Sequence, residues 1–154
     1  TVQCDTLLHP PIYDNKFVLT NPPYLARNKN TNKTLYDKYD CNDLYKCFIT
    51  NLTASQECLG GIIIIPLNFI SSIRKSDVAL RRKFLQVYSI EVMNIFEEKV
   101  FSDTSYAICS LQFTKKTSEN DFNVHIYIRL NKSCVRRWML QITIPLEGVY
   151  ITYQ

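Results

Sequence analysis

Asn21-Pro22-Pro23-Tyr24 follows directly on the apolar run Phe17-Val18-Leu19-Thr20, and its residue types suit one chemistry, the gripping of a planar amine. Pro22 keeps Asn21 out of the helical region and Pro23 does the same to Pro22, so the segment is extended and stiff. Neither proline carries an N–H, so the turn offers acceptors. The Asn21 side-chain oxygen and the Pro22 carbonyl can accept both hydrogens of one –NH2 group. That draws the nitrogen lone pair out of conjugation and makes the nitrogen a nucleophile. Tyr24 adds an aromatic face, and stacking of a base on such a face contributes roughly 1–3 kcal/mol. A double-proline loop whose Asn caps a turn explains the same four residues, so the surroundings must decide.

Three further runs follow the tetrapeptide: Asn42-Asp43-Leu44-Tyr45-Lys46-Cys47-Phe48, Gly60-Gly61-Ile62-Ile63-Ile64-Ile65-Pro66-Leu67-Asn68-Phe69, and Val100-Phe101-Ser102-Asp103-Thr104-Ser105-Tyr106-Ala107. With these four linked motifs the chain resembles, over roughly residues 1–115, the γ-class, Taq-like N6-adenine DNA methyltransferases of restriction–modification systems. The resemblance implies a partial Rossmann-like methyltransferase sheet with S-adenosylmethionine (SAM) as cofactor. It implies transfer of a methyl group to the N6 amine of an adenine flipped out of duplex DNA. Asn21 and Pro22 would activate that amine, and Tyr24 with Phe101 would clamp the base. Flipping costs a few kcal/mol of pairing and stacking, which two aromatic faces and two hydrogen bonds can offset.

The same resemblance implies cofactor contacts at Asp5, Phe48 and Asn21. Asp5 matches the acidic position that touches the cofactor's adenine ring, and Phe48 the aromatic that packs on it. A turn-forming Asp5 and a core Phe48 are the competing readings. Arg27, Lys29, Lys33 and Lys38 lie just after the clamp, where a DNA backbone would pass, although a solvated loop accounts for them equally. Arg74, Lys75, Arg136 and Arg137 are secondary candidates for phosphate contact.

The chain has 154 residues and a net charge of +4, enough for one domain and compatible with a nucleic-acid partner without requiring one. No apolar stretch approaches a membrane span and no leader pattern is present, so an intracellular protein is expected, cytoplasmic or in the host cell if viral. Six cysteines are scattered without a C-x-x-C pair and read as reduced core residues, with no metal site expected. His9 and His125 are the only histidines, and neither neighbours a Ser or Cys signature, which argues against a hydrolytic triad.

The elements that must position the site follow from periodicity. Thr1–Cys4 and Phe17–Thr20 read as short buried strands, Leu25–Asp40 as a polar surface loop, and Asn42–Glu57 as a helix ended by Gly60-Gly61. Ile62–Pro66 is β-branched throughout, as in a strand buried on both faces. A helix N-capped by Ser76-Asp77 runs to about Leu85, followed by strands at Val87–Phe96 and Ser105–Thr114. This order predicts an α/β layer, mainly parallel, with the last two strands as an antiparallel edge. Residues 1–116 are assigned to the C-terminal part of a catalytic domain. Residues 117–154 read as a β-rich appendage or the start of a target-recognition region, with strands at Phe122–Leu130, Trp138–Ile144 and Val149–Tyr153.

A start at Thr1, inside an apparent strand, suggests truncation. The Gly-rich SAM loop of the family lies upstream of this position, and Gly60, Gly61 and Gly148 are the only glycines. The expected partners are therefore duplex DNA and either the missing N-terminal cofactor-loop segment or a complementing chain. The fragment alone is expected to be inactive. Related Asn-Pro-Pro-Tyr loops serve enzymes that methylate a protein glutamine amide or an RNA base, and a non-catalytic DNA-binding remnant is a third reading.

Overall fold

A computed structural model describes residues 4–96, 99–102, 104–116, 124–129 and 140–142. The expected strand at Thr1–Cys4 and the candidates Arg136 and Arg137 lie outside these, except for Cys4, which is not in a strand. Chain order is β1 (Phe17–Thr20), α1 (Thr34–Tyr39), α2 (Leu44–Ser55), β2 (Gly60–Pro66), α3 (Asn68–Ser71), α4 (Lys75–Val87), β3 (Tyr88–Phe96), β4 (Ile108–Lys115), β5 (Val124–Arg129) and β6 (Leu140–Ile142). The strands form one sheet in the order β1-β2-β4-β3-β5-β6.

The sheet is mixed and not mainly parallel. β1 pairs with β2 and β3 with β5 in parallel, while β2–β4, β3–β4 and β5–β6 are antiparallel. The antiparallel β3–β4 pair is present as expected, yet β4 sits in the interior, between β2 and β3. Burial explains this: Ile108, Cys109, Leu111 and Phe113 are all buried, on both faces of β4. A strand whose two faces are both covered suits the middle of a sheet, where layers pack above and below it and neighbours on each side pair its backbone groups.

The segment Leu25–Asp40, expected as a surface loop, contains a 3-10 turn at Arg27–Lys29 and helix α1. Tyr36 on α1 is fully buried, and its hydroxyl donates to the Leu25 carbonyl at 2.9 Å. The segment's high content of Asn and Lys hid two anchoring aromatics, Tyr36 and the half-buried Tyr39, whose hydroxyl donates to the Leu7 carbonyl at 2.7 Å. Helix α2 ends at Ser55 with Gln56 in the left-handed region at φ 56°, so Gly60 and Gly61 open β2 and do not stop the helix. A Cβ on Gly61 would lie 2.0 Å from the Val18 carbonyl oxygen. Glycine is there to let β1 approach, a packing reason and not a turn. Helix α4 is preceded by Arg74, whose side chain makes no cap, and Asp77 lies inside the first turn.

Behind the sheet Phe84 of α4 packs against Phe69, Tyr88 and Phe113 at centroid distances of 5.7, 5.1 and 5.4 Å. Each such side chain contributes roughly 1.5–3 kcal/mol by burial, and ring pairs add about 0.5–1.5 kcal/mol. This cluster fixes α4 against β3 and β4.

Candidate active site

β1 and β2 run parallel, so Thr20 and Pro66 end at the same sheet edge, where open α/β sheets place their ligands. The Asn21 corner leaves β1 there. Two backbone bonds then lead the chain back along α2: Arg27 N–H donates to the Asn42 carbonyl at 2.9 Å and Leu44 N–H to the Leu25 carbonyl at 3.2 Å. Asp43 caps α2 by accepting from Tyr45 N–H at 3.4 Å. Together these bonds set Tyr24 beside Tyr45, edge to face at 6.3 Å.

Asn21 is exposed, Pro22 is buried and Tyr24 is half-buried. Among the described residues the Pro22 carbonyl takes part in no hydrogen bond. The Tyr24 hydroxyl reaches two acceptors, the Asn21 side-chain oxygen at 2.5 Å and the Ile64 carbonyl at 2.8 Å. Its single proton serves one of them at a time, and an amide oxygen with two lone pairs keeps capacity for a further donor. Burial, then the neighbouring Cys109, pushes the Tyr24 hydroxyl up to about 12. It therefore remains a protonated donor at neutral pH.

Phe101 is brought to this corner from a distant part of the chain. Its ring centroid is 6.1 Å from that of Tyr24, with the planes at 60°. A planar base between parallel rings needs roughly 7–8 Å, two contacts of about 3.5–4.0 Å. The two rings thus touch each other in this conformation, and a base would enter between them only with Phe101 turned.

The other candidates stand elsewhere. One Asp5 carboxylate oxygen accepts from the N–H groups of Leu7 and Leu8 at 2.9 and 3.1 Å, a local turn. Phe48 is 6% exposed, within the core. Of the four loop cations, three are engaged inside the chain. Arg27 pairs with Asp37 at 2.6 Å, Lys33 donates to the carbonyls of Arg27 and Asn30, and Lys38 donates to that of Leu7 at 2.8 Å. Lys29 is exposed.

Two residues without an assigned role in the sequence complete the corner. Tyr45 is buried, and its hydroxyl donates to the Asn68 side-chain oxygen at 2.8 Å. Burial pushes that hydroxyl far above its ordinary range, followed by the charges of Asp43 and Asp77. Both residues lie within the quoted motifs, but an aromatic in a helix's first turn and an Asn after a strand carry no signal that separates support from core.

SAM is the cofactor implied by the resemblance, and the residues present do not make its cradle. Asp5 is turned into its own backbone, Phe48 is inside the core, and no Gly-x-Gly occurs in the sequence. Among the described residues no cluster of three His, Cys, Asp or Glu could hold a metal ion, and no helix is long and apolar enough to cross a membrane.

No family model and no curated protein matches the sequence. Solved structures do match the fold. A modification subunit assigned to a type I restriction enzyme from Vibrio vulnificus YJ016 superposes with a TM-score of 0.57 at 15% identity, over 85% of this chain and 28% of that one. The M protein of the type I restriction enzyme EcoKI gives 0.51 at 17% identity, over 81% and 28%. The chain shares the fold of restriction–modification methyltransferase subunits and spans just over a quarter of their length.

Proposed function

We propose that this chain is the base-holding part of the catalytic domain of a DNA methyltransferase of a restriction–modification system, acting on the N6 amine of a flipped adenine. The observation that carries the reading is the exposed Asn21 side chain beside a Pro22 carbonyl without a partner among the described residues, at the carboxyl end of β1 and next to Tyr24. Two acceptors on a stiff turn suit an aromatic –NH2 group. Tyr24 offers a stacking face, and Phe101 is near enough to cover the opposite face once turned. The EcoKI M protein belongs to the adenine-specific class of these enzymes, which accords with this choice of base.

SAM supplies the methyl group in the parent enzyme and is held by a segment other than this one. The bare side of the sheet supports that division. β1 is not the buried strand its apolar residues predict: Phe17 and Leu19 are 72% and 80% exposed, and Ile62, paired with Leu19, is 41% exposed. Among the described residues β1 is also an edge strand. Parallel strands are normally covered on both faces, so a cofactor-loop segment or complementing chain fits on this face and edge.

The test is methyl transfer from labelled SAM, using the longer parent protein, with duplex DNA, RNA and a release factor as acceptors. Labelling of adenine N6 in duplex DNA is expected. Product on a glutamine amide or on RNA alone would replace this reading with the corresponding one. The missing cradle favours one further reading, a non-catalytic DNA-binding remnant. Absence of transfer by the parent protein, with DNA binding retained, would establish it. Calorimetry of this chain with SAM is expected to show no binding.

A further inference from the structure

Ile73 is 92% exposed, more than any other large apolar side chain among the described residues, and two exposed cations, Arg74 and Lys75, follow it. A loose loop would let an isoleucine fold inward. This one is pinned on both sides of Ile73. The Ser72 carbonyl accepts from Arg81 at 3.2 Å, and the same guanidinium nitrogen donates to the Phe69 carbonyl at 3.0 Å. The Ser72 hydroxyl donates to Asp77 at 2.6 Å and accepts from Arg74 N–H at 3.3 Å. The second Asp77 oxygen is ion-paired with Lys46 at 2.5 Å. Lys46, Asp77 and Arg81 are 6%, 4% and 5% exposed, so a buried polar network holds an exposed ledge.

The ledge lies on the same sheet edge as the Asn21 corner, since α3 leaves β2 immediately after Pro66. It is also tied to that corner through Asn68, which accepts from Tyr45, whose ring packs on Tyr24. Meanwhile Arg27, Lys33 and Lys38 have their charged ends engaged within the chain. Among the described residues, exposed cations on the segments that reach this edge are Lys29, Lys99 and this pair, and of these only the pair stands on a turn held by a buried network.

We propose that Ile73, Arg74 and Lys75 form a duplex-DNA contact, with Arg74 and Lys75 on backbone phosphates and Ile73 against the apolar sugar and base edges of the groove. This rests on the DNA reading of the corner and moves the main phosphate contact from the loop after Tyr24 to the turn before α4. Cations neutralise phosphates and release counterions, whereas an apolar contact adds affinity without a salt dependence.

The test is fluorescence anisotropy of the 154-residue chain with a labelled DNA duplex over a range of salt concentrations. The double variant Arg74→Gln/Lys75→Gln is expected to weaken binding about tenfold and to lower the slope of log affinity on log salt by about 2, roughly 0.9 per phosphate contact. Ile73→Ala is expected to weaken binding about threefold with the slope unchanged. All three side chains are exposed, and Arg74 adds only a minor charge interaction to the Asp77 that Lys46 and Ser72 already hold, so thermal melting should stay close to that of the wild type. If the wild-type chain binds no duplex, the DNA reading falls and this contact with it. If it binds while both variants keep wild-type affinity and slope, the ledge alone is overturned. Tighter binding to an RNA duplex than to DNA overturns the choice of partner.

Discussion

The Tyr24 hydroxyl hydrogen-bonds the Asn21 side-chain oxygen at 2.5 Å, so the first and last residues of the tetrapeptide hold each other. The Ile64 carbonyl on β2, at 2.8 Å, is the alternative acceptor for the same proton, so the hydroxyl is held between the corner and the sheet. Asn21 is thereby oriented by a group that itself sits on rigid backbone.

Asn21→Ala and Tyr24→Phe should therefore behave differently in the parent enzyme. Loss of the Asn21 acceptor is expected to slow single-turnover methyl transfer by about 100-fold or more, the scale seen when a preorganised polar group is removed from a reacting centre. Tyr24→Phe keeps the stacking ring and loses one orienting bond of about 0.5–1.5 kcal/mol, roughly 2- to 12-fold in rate. Duplex affinity, measured by anisotropy, should hold in both. Equal rate losses in the two variants would contradict an orienting role for the hydroxyl.

The Lys46–Asp77 pair is buried, and opposing effects act on Asp77. Burial raises the carboxyl's pKa, but hydrogen bonds from Lys46 and Ser72 outweigh it and hold the group below its ordinary value. A depressed folded-state value stabilises the chain above the unfolded carboxylate value of about 4. That contribution is lost as pH falls through the folded value. Urea unfolding of Lys46→Met at pH 7 is expected to show a loss of about 3–5 kcal/mol, because the variant strands a buried charge. The Lys46→Met/Asp77→Leu double variant should recover much of it. The gap between wild type and Asp77→Asn should narrow as the pH is lowered below about 4.

Leu19→Glu tests the bare face of the sheet. Leu19 is largely exposed in this chain, so its melting temperature should change little. In the longer parent protein the same charge would meet the proposed covering segment, at a cost of several kcal/mol for burying an unpaired carboxylate. Loss of SAM binding in the parent, with an unchanged melt for the short chain, is the expected pair of results. Full SAM binding by the Leu19→Glu parent would mean that nothing docks there.

Cys41 should be a reactive thiol at neutral pH. The neighbouring Cys47 thiol holds the Cys41 pKa below its ordinary value, against the upward push of burial and with help from Thr50 and Lys46. Alkylation followed by peptide mass spectrometry should give a half-maximal rate for Cys41 at a lower pH than for a free thiol, about 8.5. In Cys47→Ala that midpoint should move up toward the ordinary thiol value of about 8.5. Cys109, fully buried and pushed up to about 12 by burial, should remain unmodified in the folded chain.

The corner itself was legible in the sequence. Two consecutive prolines dictate an extended, donor-free turn whatever surrounds them, and the β-branched run after Gly61 dictates a strand, but its burial on both faces was not borne out, since Ile62 is 41% exposed and Ile64 only half-buried. Local covalent constraint and hydrophobic pattern are properties of neighbouring residues, so they survive without coordinates. The position of β4 inside the sheet, the burial of Tyr36 within a polar stretch and the engagement of Arg27, Lys33 and Lys38 were not legible. Each depends on a partner that long-range packing supplies, and no spacing rule names it. Phe101 shows both sides: its motif marked it, yet only the fold decided that its ring would rest against Tyr24 at a 60° tilt. The residue types at the corner determined what chemistry is available; the tertiary structure decided which cations face outward and which apolar face is left bare, because those follow from packing and charge pairing across the whole chain.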